Sequence, residues 1–279
     1  MPELPEVEIL VRHLAPLLPG RRIRAVQVGR PRVCRPDPPD RLVEALTGAT
    51  FRSVTRRGKY LVFSLVRRRR AFQVLGHLGM TGRMWLERSA GPLPRHLAAA
   101  LDLGRERFVF EDVRFFGRLS LDLSPVEALG PEPLDPAWDG AALAARLGRS
   151  TRPIKVCLLD QTLVAGVGNI YASEALHRAR IAPTRPAGRL RHAEHAALAA
   201  AIREVLAEAV AGGSTVPLDL RAGTDGLYYY GRAAEAGADY GERLAVYDRE
   251  GAPCLTCGRS IRRSVQAGRS TFHCPRCQR

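Results

Sequence analysis

The sequence predicts an α+β multidomain protein in which a leading helix and a β-sandwich are followed by a helical region and a small cysteine-rich module. Three observations support this prediction. Short alternating strand-like runs fill the first 123 residues, helical periodicity replaces them after residue 140, and four of the six cysteines form one spaced set near the C-terminus. At 279 residues the chain is long enough for two domains and a well-buried core.

The leading helix is predicted over residues 5–18, where apolar residues recur on one helical face and Gly20 follows the end. The runs that follow are short, frequent and alternating, which is typical of a β-sandwich. They cover residues 23–28, 51–55, 60–65, 72–75, 83–86, 108–111 and 119–123. We therefore predict a sandwich domain over residues 1–123.

The composition changes over residues 124–140, where proline, glycine and acidic residues are frequent, and this segment is predicted as a linker. Helical periodicity then predicts helices at 141–147, 153–161, 170–179 and 192–211. Residues 214–242 have little periodicity and are predicted as a loop. The second domain is thus predicted over 141–242 and the cysteine module over 243–279.

The chain is strongly basic. Its 43 basic and 28 acidic residues give a net charge of +15 and a predicted pI near 10.5, which indicates a polyanionic partner. Residues 21–35 hold six arginines, residues 52–70 hold eight basic residues, and neither stretch contains an acid. The last 25 residues carry six more arginines. Such clusters are typical of a surface that follows phosphates.

Only two of the basic residues are lysines, Lys59 and Lys155. A lysine supplies a compact ammonium that can lose its proton, whereas an arginine stays charged. The two lysines are therefore candidates for positions that need such a group. The alternative is that they persist by chance in an arginine-rich sequence.

The four spaced cysteines form two CxxC pairs that are separated by 16 residues: Cys254, Cys257, Cys274 and Cys277. This spacing supplies four thiolates to one structural, tetrahedral Zn²⁺. Two disulfides are the alternative, which a reducing cytosol disfavours. Arginines but no acid lie between the pairs, so the intervening hairpin is predicted to present positive charge to DNA.

The chain begins Met1-Pro2-Glu3, and removal of the initiator methionine would leave proline as the terminal residue. An α-amino group has a pKa of about 8 against about 10.4 for lysine, so more of it is free base at neutral pH. Such an amine can attack a sugar C1′ and form a covalent intermediate, while Glu3 beside it moves protons. The alternative is that both residues merely precede a helix with proline and acids in its first turn.

A second motif, residues 158–174, places Gly166, Gly168 and Asn169 before a predicted helix. The glycines allow a tight turn, and Asn169 is predicted as the N-cap of the helix, where backbone N–H groups bind phosphate. An ordinary helix hairpin is the alternative. Lys155, just upstream, favours the nucleic-acid interpretation.

The chain resembles the formamidopyrimidine-DNA glycosylase and endonuclease VIII family over nearly its whole length. Six motifs carry the resemblance in order: residues 2–8, 77–82, 112–117, 129–134, 166–174 and the four-cysteine module. The resemblance implies a β-sandwich, a helix-two-turn-helix domain with a lesion-capping loop, and a β-hairpin zinc finger. It also implies a bifunctional DNA glycosylase and AP lyase of base excision repair that binds damaged double-stranded DNA and cuts it by β,δ-elimination.

The resemblance also implies roles for individual residues. The catalytic residues would be Pro2 as Schiff-base nucleophile, Glu3 as proton donor at the sugar, Lys59 as acid–base group in β-elimination and Arg269 as an aid to δ-elimination. The DNA contacts would be His77, Met80, His96, Arg114, Phe116, Lys155 and Asn169. Among these, Met80, Arg114 and Phe116 would fill the gap that a flipped nucleotide leaves.

Two departures from the family pattern leave the lesion and the opposite base open. Phe115 stands where the family commonly has a basic residue, and the loop 214–242 is longer than usual and lacks the lysine-proline-glycine pattern. We expect oxidised or ring-opened purines as substrates, with oxidised pyrimidines or abasic sites as alternatives. A non-catalytic, zinc-dependent binder of gapped or bent DNA is the rival class, and it needs no free Pro2 amine.

The N-terminus is acidic and no apolar run approaches about 18 residues, so neither a signal peptide nor a membrane span is predicted. We expect a cytoplasmic, nucleoid-associated monomer that does not bind membranes.

Overall fold

The structure is a computed structural model that describes residues 2–213, 218–219, 229–230 and 244–279. The chain forms two compact units. Unit 1 holds the described residues up to Glu127 together with the strand pair Leu218–Asp219 and Tyr229–Tyr230. Unit 2 holds residues 128–213 and 244–279. The predicted fold class is confirmed.

Unit 1 is a β-sandwich preceded by a helix. Its α-helices are α1 (Leu4–Leu17), α2 (Pro39–Leu46) and α3 (Ser124–Glu127), and a 3-10 turn covers Pro31–Cys34. Its strands are β1 (Ala25–Val28), β2 (Thr50–Arg57), β3 (Tyr60–Arg67), β4 (Arg70–His77), β5 (Gly82–Arg88), β6 (Leu97–Asp102), β7 (Glu106–Asp112) and β8 (Arg118–Ser120). They form two antiparallel four-stranded sheets, ordered β1-β6-β7-β5 and β2-β3-β4-β8.

The core of unit 1 lies between the two sheets and includes one face of α1. Phe63 of β3 packs edge-on against Phe51 of β2 and Phe108 of β7, with ring centroids 5.9 and 5.7 Å apart. Val7 and Leu14 of α1 are fully buried in the same core. Each large apolar side chain buried in this way contributes roughly 1.5–3 kcal/mol, so α1 cannot leave the sandwich without a large loss of stability.

Each of the seven predicted strands overlaps an observed strand, but the sequence does not predict β6 or α2. The strand β6 reads Leu-Ala-Ala-Ala-Leu-Asp, and alanine favours helix by intrinsic propensity. It forms a strand because it is hydrogen-bonded on both sides, to β1 and to β7, and packing in a sheet overrides propensity. The helix α2 is short and lies in a proline-rich stretch without a long apolar period.

Unit 2 is helical and ends in a β-hairpin. Its elements are α4 (Gly140–Leu147), α5 (Ile154–Leu158), α6 (Asn169–Arg178), a 3-10 turn at Ala187–Arg189, α7 (His192–Ala211), β11 (Arg262–Gln266) and β12 (Arg269–His273). The strands of the short pair in unit 1 are β9 and β10 in chain order. Across the residues that the structure describes, no helix is both long and apolar enough to cross a membrane.

The helix α5 is shorter than the predicted helix 153–161 because Gln161 organises a turn instead. Its side-chain amide donates to the Val167 carbonyl at 2.8 Å, and its Oε1 accepts the Gly166 N–H at 2.9 Å. Gly166 has a φ of +82°, which suits a residue without a Cβ. The loop between α5 and α6 therefore has a fixed shape.

Most of the segment predicted as a linker, residues 128–140, belongs to unit 2. The buried Trp138 donates its indole N–H to the Ala199 carbonyl of α7 at 3.1 Å, and the Gly130 N–H bonds the Gln161 carbonyl at 2.9 Å. The boundary between the compact units accordingly falls after Glu127. The predicted loop 214–242 lies outside the described residues apart from β9 and β10, which group with unit 1 and not with the second predicted domain.

The cysteine module is attached to α6 through Glu174. This buried carboxylate accepts the backbone N–H groups of Ala245, Val246 and Tyr247 at 2.8, 2.9 and 2.8 Å. A carboxylate removed from water requires such donors, and hydrogen bonds to an ionised acceptor are stronger than neutral ones. Glu174 therefore fixes the chain that leads into the module.

We expect Glu174→Ala to destabilise unit 2 by about 3 kcal/mol or more, because each buried N–H left without an acceptor costs about 1–3 kcal/mol. Denaturant unfolding, with hydrogen exchange read at residues 245–247, measures the loss. Glu204→Ala is the control, because Glu204 is exposed and, among the residues that the structure describes, pairs only with Arg178 across 3.4 Å. A loss no larger than that of the control would contradict the role assigned to Glu174.

Candidate active site and metal centre

Pro2 and Glu3, which precede α1, are both buried. Glu3 has an extended backbone with φ −111° and ψ −167°, and its N–H donates to Glu6 Oε2 at 2.7 Å. A side chain that returns to the residue before the helix fixes the entry of the chain into its first turn. Chain termini commonly fray, but here the terminal segment is held in a defined position.

An ion pair connects α1 to the turn that carries Lys59. Glu8 Oε2 lies 2.8 Å from Arg56 Nε, and Arg56 Nη1 also donates to the Gly58 carbonyl at 3.1 Å. Burial acts to raise the pKa of Glu8, but its hydrogen bonds with Arg56 and Arg12 outweigh burial and lower the pKa below the usual value. Glu8 therefore stays ionised at neutral pH and fixes the β2–β3 turn against α1.

Both lysines of the chain are buried. Lys59 is 7% exposed and Lys155 is 1% exposed. Lysines are rarely buried to this extent because an ammonium loses its hydration and needs replacement partners. Chance retention of two lysines would be expected to leave them on the surface, so their burial favours the interpretation that these positions require a lysine.

His77, the last residue of β4, is held neutral beside Lys59. Its Nδ1 accepts the Gly79 N–H at 3.2 Å, which places the ring proton on Nε2. Burial, followed by the positive charges of Lys59 and Arg118, lowers the pKa of His77 to about 4. The ring of Tyr60 lies 4.7 Å from the imidazole, centroid to centroid. His77 is thus a neutral hydrogen-bond donor at physiological pH.

The buried Asp112 organises the loop that carries Arg114 and Phe116. Its Oδ1 accepts the Arg114 N–H at 3.2 Å and the Thr81 hydroxyl, and its Oδ2 accepts the Gly117 N–H at 2.7 Å. These bonds satisfy both carboxylate oxygens and fix the loop at each end. The shape of the loop therefore depends on one buried acid.

Met80, Arg114 and Phe116 form a single surface of unit 1. Met80 and Phe116 are each 39% exposed, and the Arg114 guanidinium lies 4.9 Å from the centroid of the Phe116 ring. The two loops touch at Gly79, whose φ is +63° and where an added Cβ would lie 2.6 Å from the Gly117 nitrogen. Exposed apolar side chains beside an arginine are suited to contact unstacked bases.

Phe115 has a left-handed backbone, with φ of +52°, which is uncommon for a residue other than glycine. Its ring lies 5.0 Å from the Arg30 guanidinium and 6.2 Å from the ring of His96. Cation–π attraction holds the guanidinium at this distance. Phe115 therefore adds an aromatic contact and keeps a positive charge, that of Arg30, beside it.

In unit 2, Lys155 and Asn169 converge on one carbonyl of the hairpin. The Ser270 carbonyl accepts from Lys155 Nζ at 2.9 Å and from Asn169 Nδ2 at 3.0 Å. The preceding residue, Arg269, begins β12 and is exposed. The prediction of Asn169 as a helix cap is wrong: Gly168 is the N-cap of α6, and the Asn169 amide is engaged by the hairpin instead.

The four cysteines of the module meet at one point, with all sulfur atoms within 4.8 Å of one another. The contacts Cys254–Cys277 and Cys257–Cys274 are 3.9 and 3.5 Å. A tetrahedral Zn²⁺ with Zn–S bonds of about 2.3 Å separates its sulfurs by about 3.8 Å, so the geometry fits this ion. A disulfide needs about 2.05 Å, and the disulfide alternative is not supported.

The crowding of the four sulfur atoms opposes the ionisation of some of the thiols unless a cation is bound. Burial and contacts with the other thiols raise the pKa of Cys277 to about 12. For Cys254, burial also acts to raise the pKa, but hydrogen bonds from His177 and the Thr256 backbone outweigh it and lower the pKa to about 6. Four thiolates in one cluster require a positive ion to offset their repulsion. The predicted structural zinc is confirmed.

Three family models match the chain. They are the formamidopyrimidine-DNA glycosylase N-terminal domain over residues 1–119, the formamidopyrimidine-DNA glycosylase H2TH domain over residues 129–219, and the zinc finger found in FPG and IleRS over residues 251–279. Proteins named formamidopyrimidine-DNA glycosylase from Cereibacter sphaeroides and Alkalilimnicola ehrlichii are 44% and 46% identical to it, over 100% of both chains in each case.

Solved structures also match the chain over its whole length. A Lactococcus lactis Fpg mutant with a Fapy-dG containing DNA and a MutM with a carbocyclic 8-oxo-G containing DNA each have a TM-score of 0.86 and 33% identity, over 100% of both chains. A complex of wild-type Lactococcus lactis Fpg with an oxidised pyrimidine containing DNA has a TM-score of 0.85 and 32% identity, also over 100% of both chains.

These matches define the class of protein as a DNA glycosylase with a sandwich domain, an H2TH domain and a zinc finger. The chain belongs to the formamidopyrimidine-DNA glycosylase family. The predictions of the family and of a base excision repair glycosylase with AP lyase activity are confirmed, and the non-catalytic alternative is not favoured. The roles of single residues and the choice of lesion stay predictions.

The sequence gives no role to several residues that shape the site. Asp112 and Glu174 lie inside the motifs 112–117 and 166–174, so their positions were visible, but their burial and their backbone partners were not. Gln161 lies inside the motif 158–174 and Arg30 inside the basic stretch 21–35, but neither residue is singled out there. Each of these four residues acts through a contact with a residue that is distant in the sequence or lies across a turn. Only the folded structure reveals such contacts.

We expect the His77 imidazole to stay neutral down to about pH 4, instead of titrating near 6.5. Between these values the unfolded state binds more protons than the folded state, so the stability of unit 1 should decrease as the pH falls through this window. NMR of ¹⁵N-labelled histidine measures the titration. His77→Gln should remove this part of the pH dependence, and a His77 signal that titrates near 6.5 would contradict the geometry.

Proposed function

We propose that Pro2, as the terminal residue, is the nucleophile that attacks C1′ of a damaged nucleotide in double-stranded DNA, and that the protein acts as a monomer. The observation that carries the proposal is the burial of Pro2 and Glu3 directly before α1, where the Glu3 N–H donates to Glu6. A nucleophile must be held within reach of the reacting carbon, and a fixed amine replaces a costly encounter in solution. The buried Glu3 carboxyl stands next to it in the chain.

The proposed reaction divides base removal into covalent steps. The Pro2 nitrogen forms a bond to C1′ as the bond from C1′ to the damaged base breaks, and Glu3 gives a proton to the sugar oxygen as the ring opens. The resulting iminium draws electrons from the sugar, so the C2′ proton can leave and the 3′ phosphate is expelled. Loss of the 5′ phosphate follows, and water releases Pro2 from the remaining sugar fragment.

Lys59 is the proposed acid–base group of the β-elimination, and Arg269 the proposed aid to the δ-elimination. Lys59 suits this role because it is buried and its charge acts on the neutral His77, so a proton donor and a neutral N–H donor lie close together. Arg269 is exposed on the hairpin whose next carbonyl is held by Lys155 and Asn169. Both positions suit groups that act on expelled phosphates.

The proposed DNA contacts fall into two groups, one in each unit. In unit 1 they are His77, Met80, His96, Arg114 and Phe116. The exposure of Met80 and Phe116 supports a role in filling the space of a flipped nucleotide, since an apolar wedge reduces the loss of stacking. In unit 2 they are Lys155 and Asn169, whose bonds to the Ser270 carbonyl also hold the hairpin in place.

The proposed lesions are oxidised or ring-opened purines. The similar structures of a Lactococcus lactis Fpg mutant and of a MutM hold DNA with Fapy-dG and with carbocyclic 8-oxo-G, which supports this choice. The similar complex with an oxidised pyrimidine keeps that class as the second candidate. Single-turnover cleavage of a panel of duplexes, each with one oxidised purine, oxidised pyrimidine or abasic site, ranks the three classes.

An N-terminal extension that is not removed should abolish catalysis while binding largely survives. The extension converts the Pro2 amine into an amide, whose nitrogen cannot attack C1′, but leaves the basic surface and the zinc finger unchanged. Borohydride reduction should trap a covalent protein–DNA adduct with the untagged protein and with a C-terminally tagged control. An adduct trapped with the N-terminally extended protein would assign the nucleophile to another amine, with Lys59 the first to test.

Lys59→Arg should lower strand cleavage by about 10²–10⁴-fold, the usual contribution of an acid–base group, with little change in binding. Arginine keeps the charge but does not release a proton near neutral pH. Single-turnover cleavage and binding to an uncleavable abasic analogue separate the two effects. Arg57→Lys, the reverse exchange in the same turn, is the control. Equal losses of cleavage and binding would restrict Lys59 to phosphate binding.

A further inference from the structure

A basic surface of unit 1 lies at the end of the sandwich opposite Lys59 and His77. The basic stretch 52–70 is divided by β3, which begins at Tyr60 beside Lys59 and ends at Arg67. Eight residues of strand at roughly 3.3 Å per residue separate the two ends by about 23 Å. The turn from β3 to β4 at Arg67–Arg70 is therefore remote from the candidate active site.

Arg22 joins this turn to form one continuous surface. It forms an isolated bridge with Thr50, which in turn pairs with Val66 on β3. A Cβ added to Gly48 would lie 3.8 Å from Arg22 Nη2 and 3.9 Å from Arg67 Nε, so both guanidinium groups border the same glycine. We refer to Arg22 and Arg67–Arg70 together as the distal arginine surface.

The distal arginine surface carries uncompensated charge. Within the described parts of the chain, none of its five arginines forms an ion pair. The neighbouring Arg21 differs, since it pairs with Glu106 at 2.5 Å. Four of the five are exposed, and Arg67 is half-buried. The positive charge of this surface is thus available to an external anion.

The four arginines of the β3–β4 turn do not favour the backbone conformation that this turn adopts. Arg68 and Arg69 have φ values of +46° and +66°, in a two-residue hairpin closed by the pair Arg67 and Arg70. Turns with two left-handed residues favour Asn-Gly, because a left-handed backbone is strained in most residues that carry a Cβ. Four adjacent charges also repel one another. The stability of the turn does not explain arginine here, which indicates a use for the charge.

We propose that the distal arginine surface binds the phosphate backbone of a second DNA segment, independently of sequence. Guanidinium groups match phosphate oxygens in a bidentate manner. The exposed large apolar residues of the described chain are Met80, Val113, Phe116, Leu255 and Val265, and none belongs to this surface. Protein interfaces usually centre on aromatic or apolar anchors, so this surface fits nucleic acid better than an acidic protein.

The proposal builds on the proposed function, in which the candidate active site holds one duplex. Because the distal arginine surface lies at the other end of unit 1, one molecule can contact a second duplex before it releases the first. The protein would then transfer directly between DNA segments while it searches for damage, and would not need to dissociate fully each time.

Stopped-flow dissociation tests direct transfer. A fluorescent undamaged duplex is bound first, and unlabelled duplex is added at increasing concentration. Direct transfer makes the observed dissociation rate rise with the concentration of unlabelled duplex, whereas simple dissociation gives a constant rate. We expect the rate to rise for the natural protein and to be nearly constant for Arg68→Asn/Arg69→Gly.

This double variant is designed to fold, since Asn-Gly is the favoured pair for the turn, and its melting temperature should equal or exceed that of the natural protein. Arg146→Gln/Arg149→Gln is the matched control, because it removes two exposed arginines from unit 2. The loss of two phosphate contacts should lower the affinity for the second duplex about tenfold at physiological salt. It should also reduce, by about 2, the slope of the logarithm of the binding constant against the logarithm of the salt concentration. The control variant should change neither quantity.

A rate that does not rise for the natural protein overturns the proposal, as does an equal rise in the double variant. Poly-glutamate serves as the acidic-protein probe. If it binds the natural protein more tightly than a duplex of equal charge, and loses this preference in the double variant, the partner is an acidic protein and the proposal fails. Single-turnover cleavage of a short lesion duplex, expected to be equal for all three proteins, tests the proposed function separately.

Discussion

The anchoring of α1 in the sandwich core is the constraint on which the candidate site depends. A chain terminus is the part of a protein that most often frays, yet the proposed nucleophile lies there. One face of α1 supplies Val7, Leu10 and Leu14 to the core, and the Glu3 N–H bond to Glu6 closes its first turn. Releasing the terminus would expose several of these side chains at roughly 1.5–3 kcal/mol each, so a mobile terminus is a rare state.

Buried carboxylates determine the shape of the irregular parts of both units. Asp112 fixes the loop of Arg114 and Phe116, and Glu174 fixes the chain before the zinc finger, in each case by accepting backbone N–H groups. Loops lack the repeating hydrogen bonds of helices and strands, so their backbone groups need other partners. An ionised side chain can satisfy several of them at once, and it positions neighbouring residues for function in doing so.

The sequence predicts those parts of the molecule that depend on periodicity or spacing. The seven strand-like runs are predicted because alternating polar and apolar residues indicate a half-buried sheet. The cysteine cluster is predicted because CxxC spacing brings the sulfur atoms together. Local pattern does not predict β6, because alanine carries no strand signal, and it places Asn169 wrongly at the cap, because its partner, the Ser270 carbonyl, lies 101 residues further along the chain. The burial of Lys59 and Lys155 depends on tertiary packing, which a single sequence does not encode in any local pattern.

The placement of the two lysines has a further consequence for the chemistry of the whole surface. Because the chain's only lysines are Lys59 and Lys155, at 7% and 1% exposure, the positive charge of its exterior comes almost entirely from guanidinium groups. Guanidinium is a poor nucleophile towards acylating agents at neutral pH because it stays protonated. The protein therefore gives acetylating enzymes and amine-directed coupling reagents almost no side-chain target.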